Sequence, residues 1–369
     1  MNVTIRGQTR HYRTVSFDAP ENAVVLIEQR LLPHTFKRVK TRNYRETAEA
    51  IRSMIVRGAG AIGATAAFGL AQGARSFRGR NLQRFETHIA TVYTTLKESR
   101  PTAIDPVNAM NALLQEMAKG QSVSEKQDIA FAAATRFADE NVEHCRHLGD
   151  QGVSLIRDGL QILTHCNAGW LAFVDIGTVT APLYAAQSAG RAFHVYCDET
   201  RPRCQGASLT AWELAQQGIS HQVIADNAAG FLMSRGEIDM VIVGSDRVLG
   251  RTGEVANKIG TYTKAVLAHR HNIPFYVAIP LSTLDWDLGS GLEIPIEDRS
   301  EDEVLGAWGV LPSVKGKIGK RTYVRIANPS STARNPGFDV TPPELITGIM
   351  TPLGIFKPRD LKKLRGKIG

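Results

Sequence analysis

Two short stretches carry the residues most able to do chemistry. One is Thr164-His-Cys-Asn-Ala-Gly169, where Cys166 follows the apolar run Leu160-Gln-Ile-Leu163. The other is Gly244-Ser-Asp-Arg247, where Asp246 follows the apolar run Met240-Val-Ile-Val243. Such runs read as parallel strands, and open α/β sheets place their ligands beyond the carboxyl ends of the strands. Cys166 and Asp246 are therefore candidates for a thiol and a carboxyl facing each other across one pocket. A carboxyl in an apolar strand-end pocket keeps its proton to higher pH and can serve as an acid near neutrality. The blander readings are a buried free cysteine acting as a small hydrophobe, and an aspartate that caps a turn or pairs with Arg247. His165 invites a Cys–His pair, but adjacent residues on a strand point to opposite faces, which disfavours it.

The elements that would hold this pair differ along the chain. Up to about residue 150 the apolar spacing is helical. Ala48, Ile51 and Ile55 fall on one face, and Glu125 to about Arg157 reads as one or two long helices. The run from Ala23 to Leu31 reads as an early strand. From about residue 160 short β-branched runs alternate with helical stretches. The expected strands are Leu160–Thr164, Phe193–Cys197, Gln222–Ala225, Met240–Val243 and Pro274–Ala278, with helices at Ser208–Gln217 and Gly260–His271. That alternation predicts βαβ units and a parallel sheet. The expected fold class is thus α/β. A mostly helical N-terminal domain with a small β-sheet spans 1–150. A Rossmann-like parallel-sheet domain spans 151–369, with a basic, irregular insert at about 306–334 and a basic tail.

Gly58-Ala-Gly-Ala-Ile-Gly63 matches the spacing of a dinucleotide fingerprint. Its context does not, because a helix rather than a strand is expected before it and Glu86 lies in a polar stretch. Neither a nicotinamide nor a flavin is expected. Arg57 ahead of small residues can instead offer a guanidinium beside free helix N–H groups, an arrangement that binds phosphate; tight helix packing is the alternative. Polar loops follow the other strand ends: Asp198-Glu-Thr-Arg-Pro-Arg-Cys-Gln205, Asp226-Asn-Ala-Ala-Gly230, and Asn257-Lys258, expected at a helix start. Together they describe a site for a small, polar, phosphorylated molecule.

Composition removes several other classes. Cys145, Cys166, Cys197 and Cys204 show no CxxC spacing, so neither zinc nor a disulfide framework is expected, and a reducing cytosol fits. No run reaches the roughly 18 apolar residues of a membrane span, and the first residues lack a signal-peptide core. The expectation is a soluble, cytoplasmic protein. The net charge of +8 is concentrated in Val314–Arg325 and Lys357–Gly369, each +5, which leaves the rest of the chain slightly acidic. Neither segment interleaves aromatics with its cations beyond Tyr323, so nucleic acid is not an expected partner.

Taken in order, these stretches resemble the methylthioribose-1-phosphate isomerase family, which is related to the regulatory subunits of a translation-initiation guanine-nucleotide exchange factor. Val56–Gly63, Arg100-Pro-Thr102, Thr164–Gly169, Asp198–Gly206, Leu209–Leu214, Asp226–Gly230, Val243–Arg247, Val255–Tyr262, Ile279–Thr283, Ile294–Glu297 and Asn335–Pro342 carry the resemblance through nearly the whole chain. It implies conversion of 5-methylthioribose 1-phosphate to 5-methylthioribulose 1-phosphate, a methionine-salvage step, with no metal or organic cofactor. It implies Asp246 as acid/base and Cys166 as the second catalytic group. Arg57, Gly58, Ala59, Arg100, Gln205, Asn257 and Lys258 would bind the phosphate and sugar hydroxyls. It also implies a homodimer. Two departures stand out: Gly60 replaces a usual proline, and bulky Trp170 and Phe173 replace small residues. They keep open a 5-deoxyribose-1-phosphate isomerase or an enzyme accepting both sugars. A ribose-1,5-bisphosphate isomerase and a non-catalytic regulatory subunit are the remaining alternatives.

Overall fold

The computed structural model describes residues 1–100, 103–311 and 319–366. A hairpin of β1 (Asn2–Ile5) and β2 (Gln8–His11) leads into an antiparallel sheet of β3 (Val15–Asp18), β4 (Ala23–Ile27) and β5 (Arg38–Thr41). Five helices follow: α1 (Tyr44–Arg52), α2 (Ala59–Ser76), α3 (Leu82–Lys97), α4 (Asp105–Met117) and α5 (Val123–Gly152). Asn43 starts α1 by accepting from the backbone N–H groups of Arg45 and Glu46. Helix α2 is built largely of Ala and Gly and is buried along nearly its whole length. Its thin profile lets α1, α3, α4 and α5 pack around it, and their Val, Leu, Ile and Phe side chains make the first core.

The second half is a seven-stranded sheet. Its strands are β6 (Gln161–Thr164), β7 (His194–Asp198), β8 (His221–Ile224), β9 (Met240–Val243), β12 (Phe275–Ala278), β17 (Gly348–Thr351) and β18 (Gly354–Phe356). The spatial order is β18-β17-β12-β9-β6-β7-β8, parallel throughout except for the β17–β18 edge. Helices α6 (Thr180–Ser188), α7 (Ala211–Gln216), α8 (Ala228–Ser234) and α9 (Thr261–Arg270) connect them. The chain runs outward from β6 through β7 to β8, then returns to β9 on the other side of β6. The order therefore reverses between β6 and β9, the two strands that precede Cys166 and Asp246. Such a switch point opens a crevice at the carboxyl ends of the two strands.

A second sheet stands over that crevice. It joins β10 (Arg247–Leu249), β11 (Val255–Lys258), β13 (Leu284–Asp285) and β16 (Phe338–Thr341). Here a sequence expectation is corrected. Asn257 and Lys258 end a strand and do not start a helix. Val255 to Lys258 pair with Thr341 to Phe338, and the chain turns only at Gly260, whose φ of 102° ends the strand. Helix α9 begins at Thr261, capped by the Asp339 carboxylate on the N–H groups of Gly260 and Tyr262.

The basic insert is corrected in part too. A short helix α10 (Asp302–Leu305) leads into a hairpin of β14 (Gly306–Val310) and β15 (Arg321–Arg325) with five residue pairs in register. Residues 312–318, which include Lys315 and Lys317, lie outside the described residues, as does the end of the tail at 367–369. The described part of the tail is anchored by buried Leu361 and Leu364.

Candidate active site

Strand β6 ends at Thr164, and Cys166 sits two residues on with a left-handed φ of 65°. A non-glycine residue holds that conformation only when its surroundings impose it. Here the Cys166 N–H donates to Thr200 Oγ1 at 2.8 Å, and its carbonyl accepts from Thr210 Oγ1 at 2.7 Å. Asn167 and Glu213 pin the next turn. Glu213 accepts from Asn167 Nδ2 and from the N–H groups of Trp170 and Leu171, all within 3.0 Å. Thr210 closes a π-helical turn over Gly206–Thr210, a local widening often found where a helix serves a site. Gln205, just before that turn, accepts from Cys166 Sγ at 3.5 Å.

Asp246 follows β9 at the start of the second sheet. It keeps part of its surface open to a cavity that lies deep in the protein. That cavity has a volume of about 60 Å³, and all nine residues singled out for binding or catalysis line it: Arg57, Gly58, Ala59, Arg100, Cys166, Gln205, Asp246, Asn257 and Lys258. They come from the connection into α2 and its first residue, the segment after α3, the segments that follow β6, β7 and β9, and β11. Arg57 reaches across to Asn167, donating to Oδ1 at 2.5 Å and to the carbonyl at 2.6 Å, and its Nη2 lies 4.0 Å from Cys166 Sγ. Gly58 precedes α2 at a φ of 91°, and a Cβ there would lie 2.5 Å from Ala172. Gly58 and Ala59, where α2 begins, line the cavity beside the Arg57 and Arg100 guanidiniums, and a helix N-terminus with cations beside it suits an anion. Arg100 pairs with Glu297 at 3.5 Å; Pro101 and Thr102 of the same stretch lie outside the described residues. Asn257 Nδ2 donates to Thr261 Oγ1. Lys258 Nζ donates to the Gly337 carbonyl at 3.0 Å and lies 4.7 Å from the Phe338 ring centroid, a cation–π contact.

The charges define what the cavity can do. Burial pushes the Asp246 carboxyl above the usual aspartate range, while Lys258, Arg100 and Arg57 pull it back. Burial pushes the Lys258 ammonium down, partly offset by Cys166 and Asp246. A carboxyl with a raised pKa, a thiol and several cations thus share one cavity. Asp105 lines an adjoining cavity together with Asp246 and Arg100. Burial raises it to about 7, although Ser282 donates to it at 2.8 Å.

His165 forms no pair with Cys166. Its Nδ1 lies 2.7 Å from Asp198 Oδ2 and its Nε2 2.9 Å from the Ile259 carbonyl oxygen. His165 does line the cavity, whereas Trp170 does not. Trp170 is fully buried, stacked 6.1 Å from Trp212 in a cluster with Ile27, Leu32 and Leu209. Phe173 does line the cavity, and it meets the other departure directly, because a Cβ on Gly60 would lie 2.4 Å from its Cδ1. Sequence reasoning passed over Met54, Phe338 and Arg299 as cavity walls. Phe338 belongs to a stretch already singled out, whereas Met54 and Arg299 carry no local signal.

Comparison with known proteins completes the description. The family model described as "Initiation factor 2 subunit family" matches residues 55–358. The chain is 46% identical over 359 residues to the methylthioribose-1-phosphate isomerase of Brucella anthropi, covering 95% of each. It is 43% identical to methylthioribose-1-phosphate isomerase 1 of Pseudothermotoga lettingae, covering 96% of this chain and 99% of that one. Its fold matches the crystal structure of 5-methylthioribose 1-phosphate isomerase from Pyrococcus horikoshii OT3 with a TM-score of 0.84 and 40% identity, covering 98% of this chain and 97% of that chain. The translation initiation factor eIF-2B subunit delta from A. fulgidus matches with a TM-score of 0.79 and 37% identity, covering 95% and 97%.

Proposed function

The chain belongs to the initiation factor 2 subunit family, and within it to the methylthioribose-1-phosphate isomerases; from that premise we propose how its cavity works. The protein is an aldose–ketose isomerase, an intramolecular oxidoreductase that converts 5-methylthioribose 1-phosphate to 5-methylthioribulose 1-phosphate in methionine salvage. Phosphate blocks the anomeric carbon, so the ring cannot open to a free aldehyde. The bond from C1 to the ring oxygen must break while hydrogen moves from C2 to C1. The C2 hydroxyl loses its proton and becomes the ketone; the ring oxygen gains one and becomes a hydroxyl. Atoms and electrons balance within the substrate, so no external electron carrier enters.

The convergence of a thiol, a carboxyl whose pKa burial raises, and several cations on one cavity at the sheet's switch point carries this reading. Asp246 supplies the proton to the ring oxygen, because burial keeps that proton on the carboxyl to higher pH. Cys166 handles the hydrogen that leaves C2, either as base on a phosphoenolate path or beside a hydride in transit. Arg57, Arg100, Lys258 and the N–H groups after Gly58 hold the phosphate; Gln205 and Asn257 face the sugar. Fixing the substrate this way supplies a large share of the rate. Apolar Met54, Phe173 and Phe338 leave room for an apolar C5 substituent. The case for a 5-deoxy sugar rested on Trp170 and Phe173; Trp170 lies away from the cavity, whereas Phe173 lines it. A cytoplasmic homodimer is proposed from the family alone, and light scattering tests its stoichiometry. Among the described residues no helix is long and apolar enough to cross a membrane.

The test is turnover by purified protein, with and without EDTA, of 5-methylthioribose 1-phosphate and 5-deoxyribose 1-phosphate. The methylthio sugar should give the higher kcat/KM in both conditions. Preference for the deoxy sugar would reassign the substrate, and turnover of neither would remove the enzyme reading. In deuterated water, label appearing at C1 identifies the phosphoenolate path; its absence identifies the hydride shift.

A further inference from the structure

His165 is left without a part in the chemistry above, yet both of its ring nitrogens are engaged. The side chain is 1% exposed, so protein groups rather than bulk water must satisfy it. The Ile259 carbonyl oxygen, 2.9 Å from Nε2, can only accept, so Nε2 carries a hydrogen. Asp198 Oδ2, 2.7 Å from Nδ1, also faces Lys264 Nζ at 3.3 Å, as an ionised acceptor would. Nδ1 then donates as well. A ring donating from both nitrogens is an imidazolium.

The neighbours are arranged for that charge. Asp198 is fully buried. Asp339 faces the ring from β16 while capping α9. Lys264, from α9, donates to the Asp226 carbonyl at 2.7 Å. Ligand atoms of His165, Asp198 and Asp226 lie within 4.8 Å of one another, a spacing that also suits a metal ion. The Lys264 ammonium already stands against the Asp198 carboxylate and the Asp226 backbone carbonyl, and the Asp226 carboxylate accepts from the N–H groups of Thr200 and Arg201.

The two acceptors lead in opposite directions. Ile259 is the residue after Lys258, and the ring packs so closely on the turn that a Cβ at Gly260 would lie 3.0 Å from His165 Cε1. Asp198 leads the other way. Its carbonyl accepts from Thr200 Oγ1, which itself accepts from the Cys166 N–H. We propose that His165 is a positioning residue: clamped as an imidazolium between Asp198 and Ile259, it locks the Lys258 turn to the left-handed Cys166 so that ammonium and thiol keep their spacing. The inference rests on the roles given above to Cys166 and Lys258.

The full chain, labelled with nitrogen-15 histidine, should show at neutral pH an imidazolium ring with both nitrogens protonated that is lost in His165→Gln. A neutral-ring signature for His165 would overturn the clamp. An amide can satisfy only one of the two acceptors, so His165→Gln should lower kcat by about tenfold or more and raise KM as well, since small displacements of catalytic groups carry large kinetic penalties. Its rate of Cys166 alkylation by iodoacetamide, read by peptide mass spectrometry, should change by a similar factor. Native kcat, KM and alkylation rate in folded His165→Gln would refute the positioning role. Should that variant not fold, His165→Asn and the spectrum of the native chain decide the matter. Absent turnover in the native protein would sink the isomerisation, while the spectrum and the alkylation rate still decide the clamp.

Discussion

Replacing Gly60 with alanine is a sharp test of how the cavity wall is built. The added Cβ would lie 2.4 Å from Phe173 Cδ1 and 2.7 Å from Asn141 Nδ2. Carbon atoms settle at about 3.5–4.0 Å, so something must move by roughly 1 Å. Little space is free, because Phe173 and Asn141 are 3% and 5% exposed. Asn141 is also held through its Oδ1, which accepts from the Val174 N–H at 3.1 Å. Overpacking of this kind costs about 1–3 kcal/mol. Exchanging glycine for alanine in a helix returns at most about 1 kcal/mol. The net expectation is a loss of about 1–2 kcal/mol, read as a lower urea midpoint at unchanged m-value. KM for the sugar phosphate should rise too, because the displaced ring lines the cavity. Phe173→Leu should relieve the clash, so the double variant is more stable than additivity predicts, by about 0.5 kcal/mol or more. Native stability and KM in Gly60→Ala, or a penalty that Phe173→Leu leaves untouched, would refute this packing.

Asp105→Asn should stabilise the protein at pH 8 and not at pH 4. The folded-state value is raised from 3.8 to about 7, so the folded form holds the proton more tightly and stability is lost as pH climbs between those values. The full penalty, about 4 kcal/mol at most, is present above 7, and urea unfolding at the two pH values reads it. Lys258→Met should raise KM for the sugar phosphate about tenfold or more if the ammonium meets phosphate. Burial lowers the native ammonium, so wild-type KM should climb at a lower pH than a free lysine would dictate, and the variant should lose that climb. The proposed role of Asp246 as the acid requires its protonated form. Activity should fall as pH rises through its raised value, and a basic limb in the range of a free aspartate would contradict the assignment.

The parts of the fold written in apolar periodicity were legible. Five strands of the parallel sheet fell within a residue of their expected places; four are short, mostly buried runs between polar ends, and β8 is a partly exposed edge strand. Strand β17 was missed. Its run, Gly348-Ile-Met-Thr351, holds only two apolar side chains and opens with glycine. The Asn257–Lys258 misreading has a similar origin. A polar pair after Val255-Ala256 looks like a helix start, and only pairing with Phe338–Thr341, some eighty residues away, makes it a strand. The hairpin at Gly306–Arg325 escaped notice because its faces are largely exposed and carry no alternation. Cys166 and Asp246 were legible because each follows a strand at the sheet's switch point, and Arg57 to Ala59 because they lead into α2; Arg100, Gln205, Asn257 and Lys258 were assigned by the family resemblance. Met54 and Arg299 could not be read that way, since tertiary contacts alone bring them to the wall. Trp170 was misplaced for the opposite reason: proximity to Cys166 in sequence suggested a pocket residue, but a tight turn pinned by Glu213 sends it to the far side.

The pairing of Cys166 with Asp246 is the centre of the account. Its most direct test is turnover of 5-methylthioribose 1-phosphate by Cys166→Ser and by Asp246→Asn, each shown to be folded by circular dichroism. Loss of either proton-handling group should lower kcat by about 10²–10⁴-fold with KM little changed. The two losses together should fall well short of their product, as expected of groups that act as a unit. Native kcat in either folded variant would contradict the assignment of catalysis to this pair.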